Sequence, residues 1–215
     1  NGYLLAYNEP AYSVTFQDTG AYPDNASMNA MLLKLIRILD KHGYEVQGQL
    51  ELGLDEQGQM IYTTSSEAAR KRFLRDYYGV RSVDELDDEK GKFPSNVSAR
   101  ELFMLRWERY ELGKMKDELG NPVILSDKEA LQIVNIRYTL ALSAYRKYET
   151  ITITSHVDEE TMADILEHTD ELLALRNPRS GSTMTASILR LSSDIRGRCR
   201  RTSLRSFERK IRNMS

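Results

Sequence analysis

Residues 125–172 read LSDKEALQIVNIRYTLALSAYRKYETITITSHVDEETMADILEHTDEL. Four patterns succeed one another in this stretch. Ser126 and Glu129 form Ser-x-x-Glu, in which the hydroxyl accepts from the third helical N–H and the carboxylate reaches back to the cap's own N–H. Ala130, Val134, Tyr138, Ala141 and Tyr145 then recur at helical spacing and predict a helix over 126–147 with one apolar face. "YETITITSHV" alternates Thr with Ile151 and Ile153, a β-branched signal for a strand near 149–157. Asp158 then caps a short helix that turns Met162, Ile165 and Leu166 inward.

The rest of the chain extends this order. Residues 3–17 predict one or two strands around a turn at Glu9-Pro10, with Tyr12, Val14 and Phe16 alternating with polar residues. Met28, Met31, Leu32, Leu35, Ile36 and Leu39 predict a helix over 26–42, with Gly43 at its C-terminal stop. "LELGLDEQGQMIY" (50–62) has two alternating runs around a turn and predicts a β-hairpin. Thr64/Glu67, Ser82/Glu85 and Ser98/Glu101 repeat the Ser/Thr-x-x-Glu pattern and predict further helix starts, with helices near 67–78 and 98–112. Each cap stabilises by about 1 kcal/mol. Strands grouped among unevenly placed helices indicate an α+β fold. The expected core is a small mixed sheet made from the N-terminal strand, the hairpin and the strand near 149–157, packed with several helices. The strands near 3–17 and 149–157 are expected to pair despite their separation in sequence.

Charge divides the chain. Residues 176–215 carry eleven Lys/Arg against Asp194 and Glu208, a surplus of +9, while the remainder carries −11. Such a break marks a boundary or an appended tail. Cys199 is the only cysteine, so neither an internal disulfide nor a cysteine-built zinc site is available. The longest apolar stretch, "MLLKLIRIL", is interrupted by Lys34 and Arg37 and falls short of the roughly 18 residues that span a bilayer.

No motif for chemistry stands out. The glycines form neither a dinucleotide fingerprint nor a phosphate loop, and no HExxH is present. The acidic run "DELDDEKGKF" lacks the ligand spacing of a calcium loop and reads as a solvated loop and helix end. Ser-x-x-Lys and Lys-Thr/Ser-Gly are both absent. Ser27-Met28-Asn29 matches Ser-x-Asn, but at a helix start, where capping is the expected role of Ser27. His156 after a strand and His168 at a helix end read as surface or cap residues. Trp107 with Tyr138, Tyr145 and Tyr148 could form a stacking platform, but helical spacing favours core packing. No catalytic residue, cofactor-binding residue or metal ligand is assigned, and no cofactor is expected.

Three stretches resemble the class B penicillin-binding proteins, the membrane-anchored peptidoglycan transpeptidases. That family carries Arg-Gly-x-Ile-x-Asp-Arg-Asn-Gly-x-x-Leu-Ala outside its anchor helix. Asn1-Gly2-Tyr3-Leu4-Leu5-Ala6 is similar to the second half of that motif and is followed by "YSVTF". Residues 125–172 resemble the family's helix–strand–helix, and "FLRDYYGVRSVDEL" (73–86) resembles its helical insert. The resemblance implies that residues 1–172 are an incomplete N-terminal pedestal (dimerisation) domain, cut inside its first motif. Such a domain lies on the extracytoplasmic face of the bacterial membrane and is non-catalytic. Its implied partners are its own transpeptidase domain, a membrane glycosyltransferase, a cell-shape scaffold protein and a second copy of itself, with no nucleic acid.

The same resemblance bears on the tail. The family continues with Pro-Gly-Val, an Arg-Val-Tyr strand and Gly-Tyr-Thr-Gly, none of which follows here. Codons can be chosen for Arg-Val-Tyr-Asp-Asp-Ser that, read one base later, spell the residues from Gly181 to Ala186. A second block, from Ser192 to Leu204, arises in the same way from Ile-Ile-Gly-Tyr-Thr-Gly-Lys-Val-Ser-Glu-Asp-Glu-Leu. Residues 173–215 are therefore expected to be a frameshifted, disordered basic tail. The alternative is a small adaptor whose basic tail binds nucleic acid or an anionic membrane.

Overall fold

The computed structural model describes residues 12–18, 22–86, 92–117, 119–143 and 150–168. The order is β1 (Tyr12–Phe16), α1 (Asn25–Lys41), β2 (Leu52–Leu54), β3 (Met60–Tyr62), α2 (Glu67–Tyr78), α3 (Ala99–Arg109), α4 (Asp127–Ser143), β4 (Ile151–Val157) and α5 (Glu159–Glu167). Short 3-10 turns occupy Val83–Glu85 and Leu112–Lys114. The fold is α+β. The expectations for residues 3–11 and for the tail 173–215 lie outside the described residues.

α1 is the central helix. Asp24 caps it, its carboxylate accepting from Ser27 N–H at 2.7 Å. Ser27 is therefore the capped residue and not the cap, because the helix begins two residues before it. Gly43, at φ 79°, ends the helix in a Schellman motif: its N–H reaches Asp40 O and that of Tyr44 reaches Leu39 O. The expected apolar face is buried, and Leu33 and Ile38 are buried with it. Beyond its first turn, only a stripe through Ala30, Lys34, Arg37, Asp40 and Lys41 is not buried, so α1 is enclosed on most sides. Arg37 pairs with Glu129 at 2.7 Å, and Asp40 pairs with Lys128. Both partners lie in the first turn of α4.

β1 and β4 pair antiparallel, with Tyr12 opposite Val157 and Phe16 opposite Ile151. The register slips twice, skipping His156 and Ile153. His156, at the first slip, adopts φ 61°, the left-handed conformation found in one class of bulge. The Ile153 carbonyl accepts from Gln47 N–H at 2.6 Å. Val14, Phe16, Ile153 and Val157 are all fully buried.

Among the described residues the strands form two antiparallel pairs and not one mixed sheet: β2 pairs with β3 and β1 with β4. The hairpin docks on helices instead. Tyr62 Oη donates to Val97 O at 2.7 Å, just before α3, and Leu50 N–H donates to Asn135 Oδ1 on α4 at 3.0 Å.

Three of the four expected capping boxes form, at Ser82/Glu85, Ser98/Glu101 and Ser126/Glu129. The first opens only a 3-10 turn. The fourth does not form. Ser66, not Thr64, caps α2 by accepting from Ala69 N–H, which leaves Glu67 as the first helical residue. On α4, Ala130, Val134 and Tyr138 are buried as expected, but Ala141 is exposed as the helix leaves the core. Tyr145 and Tyr148 lie outside the described residues.

Candidate functional site

The features tested for chemistry fall in structural roles. Tyr138 is buried in the core, its ring 6.1 Å from Phe73 and 5.8 Å from Tyr77. Trp107 packs tilted on Phe103 at 5.9 Å. These rings are core and not an open stacking surface. Asp84 and Glu85 belong to the 3-10 turn capped by Ser82, and residues 87–91 of the acidic run lie outside the described residues. Asn29 of the Ser-x-Asn match is fully buried and bonded on both sides. Among the described residues no group of three His, Cys, Asp or Glu is placed to hold a metal, and no helix is long and apolar enough to cross a membrane.

The informative geometry is a set of polar side chains that fasten elements together. The first centres on Arg137 of α4. Its guanidinium donates to Asn29 Oδ1 at 2.8 Å and Asn25 Oδ1 at 2.7 Å, and lies 4.5 Å from the centre of the Tyr110 ring. Asn29 Nδ2 in turn donates to Tyr110 O at 2.8 Å, and Asn25 Nδ2 to Glu111 Oε2 at 3.1 Å. Glu111 has φ 56°, and its carboxylate also accepts from Lys114. A non-glycine residue held in that region marks a backbone the surroundings over-determine. Burial lowers the Arg137 pKa. This network ties α1, α4 and the segment after α3 into one body.

The second centres on Arg106 of α3, which is only 7% exposed. Its guanidinium stacks 4.2 Å from the Tyr77 ring centre and lies 5.3 Å from that of Tyr138. Nη2 donates to Tyr77 O at 2.6 Å, while Tyr77 Oη donates to Leu102 O at 2.6 Å. Nε is enclosed and has no partner. Burial pushes both phenols well above their ordinary pKa, and Arg106 partly offsets it.

The third is Asp164 on α5. It accepts from Lys41 at 2.8 Å and His42 at 2.7 Å, and His168 Nδ1 lies 3.2 Å from its other oxygen. Hydrogen bonds from Lys41 and His42 hold its pKa down at about 2.

Two clefts, of about 420 and 640 Å³, flank the extended segment at Gly48 and Gln49. The segment is seated on α4. A Cβ at Gly48 would meet Asn135 Oδ1 at 2.1 Å, so any side chain there would displace Asn135 and its bond to Leu50 N–H. Gln49 N–H donates to Thr139 Oγ1 at 3.0 Å. Thr139, Ser143, Thr150 and Thr152 line the first cleft, and Glu51, Thr63, Arg72, Arg75 and Asp76 line the second.

Sequence reasoning missed all three networks. A signal for two of them was present. Arg106 follows Ala99, Leu102 and Phe103 at the next apolar-face position, and Arg137 follows Ala130, Ile133 and Val134 in the same way. A charge in an apolar slot marks a buried, partnered cation.

A family model described as Penicillin-binding Protein dimerisation domain matches residues 1–179. No curated protein matches the chain.

Proposed function

The chain belongs to the penicillin-binding protein dimerisation domain family, and from that premise we propose that it is the pedestal of a membrane-anchored peptidoglycan transpeptidase. As a dimerisation domain it is a non-catalytic region of such a protein. The pedestal holds the transpeptidase domain at a set distance from the membrane, on its extracytoplasmic face. It presents surfaces to a membrane glycosyltransferase, to a cell-shape scaffold protein and to a second copy of itself.

The observation that carries this reading is the family match over most of the chain. The polar networks support it: Arg137 and Asp164 spend their charge on fastening one element to another, and Arg106 ties α3 to α2 through Tyr77 O. A spacer needs that rigidity, because a pedestal that bends at its joints transmits no position.

Exposure of the chain to a fluorescent penicillin tests the non-catalytic reading. The expected result is no covalent band after denaturation. A β-lactam-dependent band, mapped to a serine of this chain, would overturn it.

A further inference from the structure

We propose that the Arg106–Arg109 edge of α3 is a docking site for an acidic, apolar-flanked segment of a partner protein. Arg106 is more than nine-tenths buried, yet among the described residues no carboxylate lies within ion-pair distance of it or of Arg109. Arg37, Arg75 and Arg100 pair with Glu129, Asp76 and Asp127, whereas Arg70 and Arg72, like Arg106, donate to backbone carbonyls. A buried cation normally has a counter-ion, and without one only the Tyr77 carbonyl and the two tyrosine rings offset its desolvation. Tyr77 provides one carbonyl and one ring face, but Nε remains without a partner.

Arg106 does not face a closed interior. With Tyr77, Tyr78, Leu105 and Arg109 it lines a cleft of about 190 Å³. The nearby acids are committed elsewhere: Asp76 to Arg75, and Glu101 to the Ser98 cap. Among the described residues the cleft is therefore lined by two cations and no anion. Leu105, which lines it, is 51% exposed. The pairing of an aromatic-backed guanidinium, a second arginine and an exposed leucine fits a carboxylate next to an apolar side chain. Guanidinium recognises carboxylate in a planar, directional way, and the tyrosine faces hold it in position. The partner role rests on the pedestal reading, whereas the binding itself is measured on this chain and stands or falls separately.

The test is a titration followed by NMR on the full chain, reading the Nε–H signals of Arg106 and Arg109 and the Leu105 methyls. Three probes are compared: acetyl-Leu-Asp-Glu-Leu-Phe-amide, its Asn/Gln counterpart, and inorganic phosphate. The expected result is saturable shifts at all three residues with the acidic peptide alone, weakened about tenfold by Arg109→Gln, an exposed position. Leu105→Ser, also on the surface, is expected to weaken binding of the same peptide. Equal shifts with the Asn/Gln peptide would show an apolar contact only. Equal shifts with phosphate would show generic anion binding. Changes confined to 176–215 would show attraction to the basic tail. Each of these, or no saturable shift, overturns the proposal.

Discussion

Asp164 Oδ2 lies 2.7 Å from His42 Nε2, joining α5 to the end of α1 across 122 residues of sequence. Lys41 shares the same oxygen and His168 approaches the other. Both helix ends are thereby fixed through one carboxylate. Such a hub has a definite dependence on pH.

The Asp164 carboxyl is held at about 2 in the folded chain, against about 3.9 for an unperturbed Asp. A depressed carboxyl contributes stability that is complete above its unfolded pKa and is lost as pH falls through the folded one. Asp164→Asn removes this contribution. Its stability should fall less steeply than that of the parent between about pH 4 and 2, and at pH 7 it should be lower by about 1–2 kcal/mol. Urea unfolding across that range measures both quantities. Parallel pH profiles would mean that the carboxylate is not held by Lys41 and His42.

The α2 cap separates two neighbouring hydroxyls. Ser66→Ala should cost about 1 kcal/mol, because Ala69 N–H loses its acceptor, whereas Thr64→Ala should change stability by less than about 0.5 kcal/mol. Thermal unfolding of the two variants decides it. The reverse order would place the cap at Thr64.

Asn29 is fully buried between Arg137 and Tyr110 O. Asn29→Ala takes from the half-buried Arg137 guanidinium one of its two side-chain acceptors, Asn25 Oδ1 being the other, and takes from Tyr110 O its side-chain donor, and should destabilise by about 1–3 kcal/mol. A double-mutant cycle with Arg137→Met should recover part of that loss, since both ends of the bond are then removed. Strict additivity would show that the two side chains do not act together.

Phe16 is fully buried on β1 and lies opposite Ile151 of β4. Phe16→Ala should cost about 3–5 kcal/mol through the cavity it leaves. Ile61→Ala, at a position 40% exposed, serves as the surface comparison and should cost less than about 1 kcal/mol. Equal losses at the two positions would indicate that β1 does not pack as described.

Much of the helical framework was legible because capping is local. Ser98 and Glu101, or Ser126 and Glu129, stand three residues apart and need no tertiary partner to show their roles. The α1 face was legible for a similar reason, since six apolar residues at helical spacing bury against any core. Thr64 misled because Ser66 is an equally good oxygen two residues later, and the exit from the hairpin decided between them. The strands were located, but their partners were not fully specified: β-branched alternation reports a buried face, not which strand lies alongside. His42 with Asp164, and Arg137 with Asn29, were invisible for the same reason. Each pair is assembled by packing of distant elements, and only the misplaced charges at Arg106 and Arg137 hinted at it.

The central claim is that this domain contributes position and not chemistry. Its most direct test is in a full-length transpeptidase carrying the domain, with residues 12–168 replaced by a flexible linker. Penicillin acylation of the catalytic domain and peptidoglycan cross-linking in cells are measured side by side. The account predicts that acylation persists while cross-linking is lost. Loss of acylation in a folded catalytic domain, or cross-linking that survives the replacement, would contradict it.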